Sequence, residues 1–567
     1  MTMKMDKLIA VARGQIPADL ILTNARIVNV FTGEIELGNV AICGNYIAGI
    51  GDYTQAKETI DLKGKYLLPG LINGHVHIES SMLDVGQYAL AVVPRGTTAL
   101  ITDLHEIANV CGLEGIHYVL ESARKLPLDI FLMAPSCVPA THMETAGAEI
   151  GIKEIRQLLR LEQCCGLGEV MNYPGVINND KMVLAKIAAA HGKVVDGHAP
   201  GLSGKDLNAY VSAGIQSDHE SVLLEETQEK LRRGMHIMIR EGSSEKNLET
   251  LLPLVNEETY RRCMLVVDDR SCVDILNDGD IDAVVRKAIK LGLKPVRAIQ
   301  MASINTAEYF RLERLGAVAP GYFANLIVTS DLTTLPTDMV FYHGHLVGKN
   351  RKPQFSLQKS GKQTTTDTVK VKPFRVETLR LKAKNNMVSV IEIIPDQLVT
   401  KKRTMKIKIE NGYVMPDIQR DILKLVVVER HKRTGNIGLG LVTGFGLKKG
   451  ALASSIAHDS HNIVALGTND MDIYTAVKQI EKMQGGLTVV ADRKVITSLP
   501  LPVAGLLSVE PLETVVKKLT SVEKAAAKLS VKLTSPFSTL SFVALPVIPE
   551  LRLTDMGMVD VKEFRLI

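Results

Sequence analysis

Between residues 71 and 268, short apolar runs that end in polar or ionisable residues alternate with longer amphipathic stretches. No other feature restricts the fold as tightly. There are eight such runs, at 71–77, 97–103, 129–135, 166–171, 194–198, 215–219, 236–241 and 264–268. Helix-like pieces lie between them and after the last, among them 84–94, 153–162, 180–191, 225–233 and 282–291. A strand–helix unit repeated eight times, with no glycine-rich phosphate loop, predicts a (β/α)8 TIM barrel over 66–310 rather than an open sheet.

The flanks have a different rhythm. Residues 1–65 alternate in strand fashion through Leu20, Leu22, Ala25 and Ile27, turn at Thr32-Gly33, and continue through Val40, Ile42, Ile47 and Ile50. Strand character returns over 311–348, in Leu326-Ile327-Val328 and from Val340 to Val347. The simplest reading is two parts of one small β-sandwich domain, with the barrel inserted between them. Residues 349–372, rich in Lys, Gln and Thr, read as a linker. Residues 373–567 are rich in Val, Ile, Leu and Lys and read as a C-terminal α/β domain.

Composition closes off several functions. Hydrophobic residues make up 46% and charged residues 23% of the 567, which excludes a disordered or fibrous chain. The net charge of +5 is spread along the sequence, there is no Trp and aromatics are 4%, so nucleic acid is not an expected partner. No apolar run reaches the roughly 18–20 residues that cross a bilayer. Residues 1–14 lack the apolar core of a secretory signal. The seven cysteines, an odd number, include the adjacent Cys164 and Cys165, which fits reduced thiols better than a disulfide framework. The expectation is a cytoplasmic protein that acts on a small molecule, without a membrane partner, and assembles as a symmetric homo-oligomer.

Chemistry gathers at the ends of the runs. In Asn73-Gly74-His75-Val76-His77 the two histidines are two residues apart, so a strand turns both to one side, about 7 Å apart along the backbone. A half-buried pair is the ordinary alternative. Later runs also end in ligand types: Glu169 in the fourth, Asp196-Gly197-His198 in the fifth, Ser217-Asp218-His219 in the sixth and Asp268-Asp269 in the eighth. Residues at the C-terminal ends of barrel strands converge on one mouth. Four imidazoles and two carboxylates suffice for two first-row divalent ions if Glu169 bridges them.

The longer segments carry a resemblance. Pro69-Gly70-Leu71-Ile72-Asn73-Gly74-His75-Val76-His77 resembles the motif that opens the barrel in the amidohydrolase superfamily. The following Ile78-Glu79-Ser80-Ser81-Met82 is similar to the bacterial-type adenine deaminases. Asp103-Leu104-His105-Glu106, Gly197-His198-Ala199-Pro200-Gly201, Met238-Ile239-Arg240-Glu241-Gly242-Ser243 and Ser455-Ile456-Ala457-His458-Asp459-Ser460-His461-Asn462 resemble the same family. The resemblance implies hydrolysis of adenine to hypoxanthine and ammonia, with manganese or iron as the metal and zinc as a further possibility. It also implies His75, His77, Glu169, His198, His219 and Asp268 as ligands. Leu104 stands where the family often has Pro, and Ser271 where it often has His; both flank the expected ligands.

For the reaction, Asp268 is expected to move a proton from the attacking water to the leaving nitrogen, and Glu241 to meet the purine edge. Asp103, His105, Glu106, Arg240 and Asp269 are expected to contact the base or stand behind the ligands. Ordinary alternatives are a rim salt bridge for Arg240-Glu241, a hydrogen-bonded pair at a helix start for His105-Glu106, and an ion pair for Asp269-Arg270. The segment His458-Asp459-Ser460-His461 reads either as a loop that packs on the mouth and excludes water or as one that touches the site. Two other readings compete: a cyclic-amide hydrolase of the same superfamily, and a metal-free, non-catalytic assembly protein.

Overall fold

The computed structural model describes residues 5–357, 365–383, 385–395 and 397–567, so the linker expected at 349–372 lies partly outside the described residues. Six parallel strands form one arc of the barrel, in the order Val194–Gly197, Cys164–Val170, Asp129–Ala134, Thr97–Asp103, Leu71–His77 and Asp268–Asp269. Ser217–Asp218, His236–Arg240 and Cys263–Val266 form a second arc. The arcs join at both ends. The Gln216 N–H donates to the Val195 carbonyl at 2.9 Å, and the chain passes through Val267 from Cys263–Val266 into Asp268–Asp269, which pairs with the first strand at Val76 and His77. Leu71–His77 and Thr97–Asp103 are buried at every position, as parallel strands covered on both faces must be.

Tyr66–Pro69, just before the barrel, pairs antiparallel with Leu326–Thr329, which follows it, and parallel with Ala18–Val28 near the N-terminus. Segments on either side of the barrel therefore share one nine-stranded sheet. It curls over a core that includes Leu22, Ile27, Val40, Leu67, Leu326 and Phe341.

The C-terminal region builds an eight-stranded, largely antiparallel sheet with Leu423–Val428 and Ile463–Gly467 near its centre. Helix Asp470–Lys482 covers it, burying Ile473, Ala476, Val477 and Ile480 against Val426, Ala453 and Ala465. On the barrel side, Leu506, Val515 and Leu540 belong to the same apolar core as Val76, Val85 and Ile107 of the barrel. Polar contacts add to this seam. Thr145, in the loop after the third barrel strand, donates through its N–H and hydroxyl to Asp555 at 2.9 and 2.6 Å. Asn462 Nδ2 donates to the Thr145 carbonyl at 2.9 Å.

Candidate active site

A kink in the first strand aims the histidine pair. Its pairing with the second strand is irregular between Asn73 and Val76. Ile72 belongs to the barrel's inner cluster, yet the odd-numbered His75 and His77 also face the interior, because an irregularity of this kind re-aims the residues beyond it. Gly168 allows a second close approach. A Cβ there would stand 1.9 Å from Asp103 Oδ2, so only glycine admits the second strand's carboxylate beside Glu169.

The six side chains expected as ligands meet at the mouth, and Glu169 lies between two groups of them. Its Oε1 is 3.1 Å from His77 Nε2 and 3.8 Å from His75 Nε2. Asp268 Oδ1 lies 3.3 and 3.4 Å from the same two nitrogens. On the other side, Glu169 Oε2 is 2.8 Å from His198 Nδ1 and 3.3 Å from His219 Nε2. Three of these side chains at a time bring ligand atoms within 4.8 Å of one another, both as His75, His77 and Glu169 and as Glu169, His198 and His219.

The tautomers fit cations. His77 Nδ1 is 2.9 Å from the Asp103 carbonyl, which can only accept, so Nδ1 bears the proton. In the neutral ring, the Nε2 lone pair then points at two carboxylate oxygens. His75 Nε2 and Glu169 Oε1 are buried with no hydrogen-bond partner. Lone pairs from imidazole and carboxylate, converging without donors, suit a divalent ion. Without a cation, and against the cost of burial, the buried carboxylates instead draw protons onto the facing imidazoles, raising His77 well above its ordinary value and His219 to about 9. Burial opposes ionisation of Glu169 and Asp268, yet the surrounding imidazoles hold both carboxyls well below the usual range. Burial, helped by His219, lowers His75 to about 4.

Further contacts fix these six side chains. Asp268 adopts a left-handed backbone (φ 59°), and Arg240 donates to its Oδ2 at 2.8 Å while also gripping Glu220 at 2.7 Å. Behind His198 and His219, the fully buried Lys230 donates to Asp218 (2.9 Å), Glu226 (2.7 Å) and the Ala199 carbonyl (2.7 Å). The Tyr210 hydroxyl accepts from the His198 N–H at 3.0 Å and donates to the Val170 carbonyl at 2.8 Å, tying the fourth strand to the fifth.

Beside this cluster, a cavity of about 390 Å³ opens between the barrel and the C-terminal domain, lined by Glu79, Ser80, Glu106, Asp269, His458 and His461 among others. His105 connects the two spaces. Its Nδ1 is 3.6 Å from both Glu169 Oε1 and Asp103 Oδ1, and its Nε2 is 3.5 Å from Glu106 Oε1. Asp269 lines the cavity and accepts from Ser80, while the neighbouring Arg270 donates to the Gly279 and Glu241 carbonyls.

Two expected site residues are placed differently. The Glu241 carboxylate is taken by Lys287 Nζ at 2.5 Å and by the Leu248 N–H at 3.3 Å, away from the cavity lining. Arg240 faces the mouth but spends its donors on Asp268, Glu220 and Asn247. The rim salt bridge considered for Arg240-Glu241 is replaced by these separate partners. Sequence reasoning gave no role to Glu79, Glu220 or Lys230. Glu79 sits two residues past His77, in the segment similar to the bacterial-type adenine deaminases, so a signal for it existed. Lys230 sits in a helix that reads as an ordinary charged face.

Comparison with known proteins agrees with this architecture. The Amidohydrolase family matches residues 66–372, and the Adenine deaminase C-terminal domain matches residues 397–565. A protein named adenine deaminase from Dehalococcoides mccartyi is 62% identical over 567 residues, covering 100% of this chain and 99% of that protein. Adenine deaminase 2 of Carboxydothermus hydrogenoformans is 48% identical over 561 residues, covering 99% of this chain and 98% of the relative. The adenine deaminase of Clostridium acetobutylicum is 46% identical over 555 residues, with 97% of each covered. With both of its larger units matched and its whole length shared with these relatives, the chain belongs to the adenine deaminase family of metal-dependent amidohydrolases.

Proposed function

We propose that this chain hydrolyses adenine to hypoxanthine and ammonia at the barrel mouth, where His75, His77, Asp268, His198, His219 and, between the two imidazole pairs, Glu169 would hold two divalent cations. The observation that carries this reading is that the two oxygens of Glu169 face separate imidazole pairs. The mixed imidazole–carboxylate set suits a first-row divalent ion, and the family resemblance puts manganese first, then iron or zinc. Bound divalent ions supply Lewis acidity and a water that loses its proton near neutral pH.

The chain's own groups manage the rest. Arg240 pins Asp268 through Oδ2 and leaves Oδ1 facing His75 and His77, where it takes the proton of the attacking water and delivers it to the departing nitrogen. The ring nitrogen next to the attacked carbon also needs a proton. We assign that donation to Glu79 instead of Glu241. Glu79 lines the cavity, keeps Oε2 without a hydrogen-bond partner, and is pushed by burial up to about 7. The C-terminal domain roofs the cavity and excludes water. The seven free cysteines support a reducing compartment, the cytoplasm.

A cyclic-amide hydrolase that bridges its metals through a carboxylated lysine is disfavoured, because Cys164–Val170 contains Glu169 and no lysine. The test is ammonia release from a panel of purines and cyclic amides after loading with Mn²⁺. Adenine should be the preferred substrate. A folded chain that neither takes up Mn²⁺ nor releases ammonia from adenine would overturn the proposal.

A further inference from the structure

Glu106 starts the helix that follows the second barrel strand, yet its carboxylate is held from the other domain. His458 Nδ1 lies 2.6 Å from Oε1, and His461 Nε2 lies against Oε2. Residues 352 positions apart meet here. His461 Nδ1 accepts from the Ala457 N–H at 3.2 Å, which places the ring proton on Nε2, facing Glu106. That tautomer also disfavours a metal ion between His461 and Glu106, since Nε2 has no lone pair to offer.

The loop that carries the two imidazoles is firmly anchored. Fully buried Arg430 donates to the carbonyls of His461 and Ala504. His431 Nε2 donates to the Ser460 carbonyl at 2.7 Å. The His458 ring stacks on Phe542, with centroids 4.3 Å apart and planes 17° off parallel. A loop meant only to cover the mouth needs no imidazole aimed at each oxygen of one carboxylate.

We propose that the C-terminal domain completes the purine pocket: His458 and His461 hold Glu106 as an ionised acceptor for an N–H of the bound base, and so act as positioning residues in the deamination. A carboxylate has about four lone-pair directions. His458 occupies one on Oε1, which the His105 ring also approaches at 3.5 Å, while Oε2, against which His461 packs, has no hydrogen-bond partner and belongs to a residue that lines the cavity together with His458 and His461. Glu106 stands one imidazole, that of His105, beyond the bridging Glu169. A purine reacting at the ligand cluster brings its far edge to that wall. The charges agree. Burial opposes both ionisations, but the pair prevails, with Glu106 held well below the ordinary range and His458 raised to about 9.

The inference rests on adenine deamination at this mouth, and the experiment separates the two. Steady-state kinetics on adenine, manganese content and thermal melting are compared for the full Mn²⁺-loaded chain and for His458→Ala, His458→Asn, Glu106→Gln and the His458→Ala/Glu106→Gln pair. Losing a charge-assisted contact to the base should raise KM about tenfold or more in His458→Ala, with a smaller fall in kcat and unchanged metal content. His458→Asn, whose side-chain N–H₂ stands near the place of Nδ1, should recover part of the loss. The double variant should be no worse than Glu106→Gln alone, because both changes act through one carboxylate. Unchanged KM in His458→Ala, no recovery in His458→Asn, or losses that multiply would overturn the inference. If His458→Ala does not fold, the His458→Asn and Glu106→Gln comparison decides in the same way. An inactive but metal-loaded wild type would overturn the proposed reaction instead.

Discussion

At the scale of single residues, Glu169 serves two imidazole pairs at once, one through each oxygen. An amide has only one acceptor oxygen and must turn its N–H₂ toward the other pair. Glu169→Gln should therefore retain fewer than two metal ions per chain and lose activity by about 100-fold or more, beyond the range for residues that only orient ligands. Elemental analysis with ammonia release checks it, and full activity with two ions bound would refute the bridging role. Arg240 offers a milder case, because it acts through Asp268. Arg240→Met leaves Asp268 Oδ2 and Glu220 without their cation. A fall in kcat of about 10- to 100-fold is expected, as for other residues behind the ligands, with KM for adenine nearly unchanged. A change confined to KM would contradict the positioning of Asp268 and favour direct contact with the base.

At the scale of elements, the ends of the fifth and sixth strands depend on one buried cation. Lys230 pairs with Asp218 and Glu226 and caps the Ala199 carbonyl. Lys230→Met leaves those carboxylates buried without a counter-charge, which costs about 3–5 kcal/mol. Urea denaturation should show that loss, and the site of His198 and His219 should bind metal more weakly than that of His75 and His77. The same elements show what the sequence could reveal. The barrel was legible because strands buried on both faces become apolar runs, and the side chains that gather at the mouth were legible because they end those runs. Side-chain direction was harder to read. Met238 belongs to the inner cluster, while Ile237 and Ile239 belong to the outer core. Strand alternation therefore turns Arg240 inward and Glu241 outward to Lys287. Treating both residues as facing the mouth overlooked that alternation. On the first strand the rule fails in the opposite sense, since the kink between Asn73 and Val76 has no mark in composition.

At the scale of the whole molecule, the His458–His461 segment was legible as a piece that meets the mouth, but the rest of the seam between barrel and C-terminal domain was not, because its polar partners lie hundreds of residues apart. Thr145 and Asp555 are 410 positions apart in sequence. That seam also buries acids. Glu144 accepts from the N–H and hydroxyl of Thr141 through Oε1, while its Oε2 has no hydrogen-bond partner. Burial, reinforced by the neighbouring Asp459, pushes the Glu144 carboxyl up to about 8. Asp459 is itself raised by burial to about 6. An unfolded chain releases the Glu144 proton near its ordinary value of 4.5. Between that value and about 8 the folded protein binds more protons, so its stability falls as pH rises. The contribution is complete below about 4.5 and is lost as pH passes through about 8, where two buried anions come to face each other across the domain junction. Wild-type melting temperature should therefore drop more between pH 6 and pH 9 than that of Glu144→Gln, which stays neutral throughout. Comparing the two proteins at both pH values, each loaded with Mn²⁺, cancels the pH dependence of metal binding that they share. Equal drops would show that Glu144 is already ionised at pH 6 and that the seam tolerates its charge.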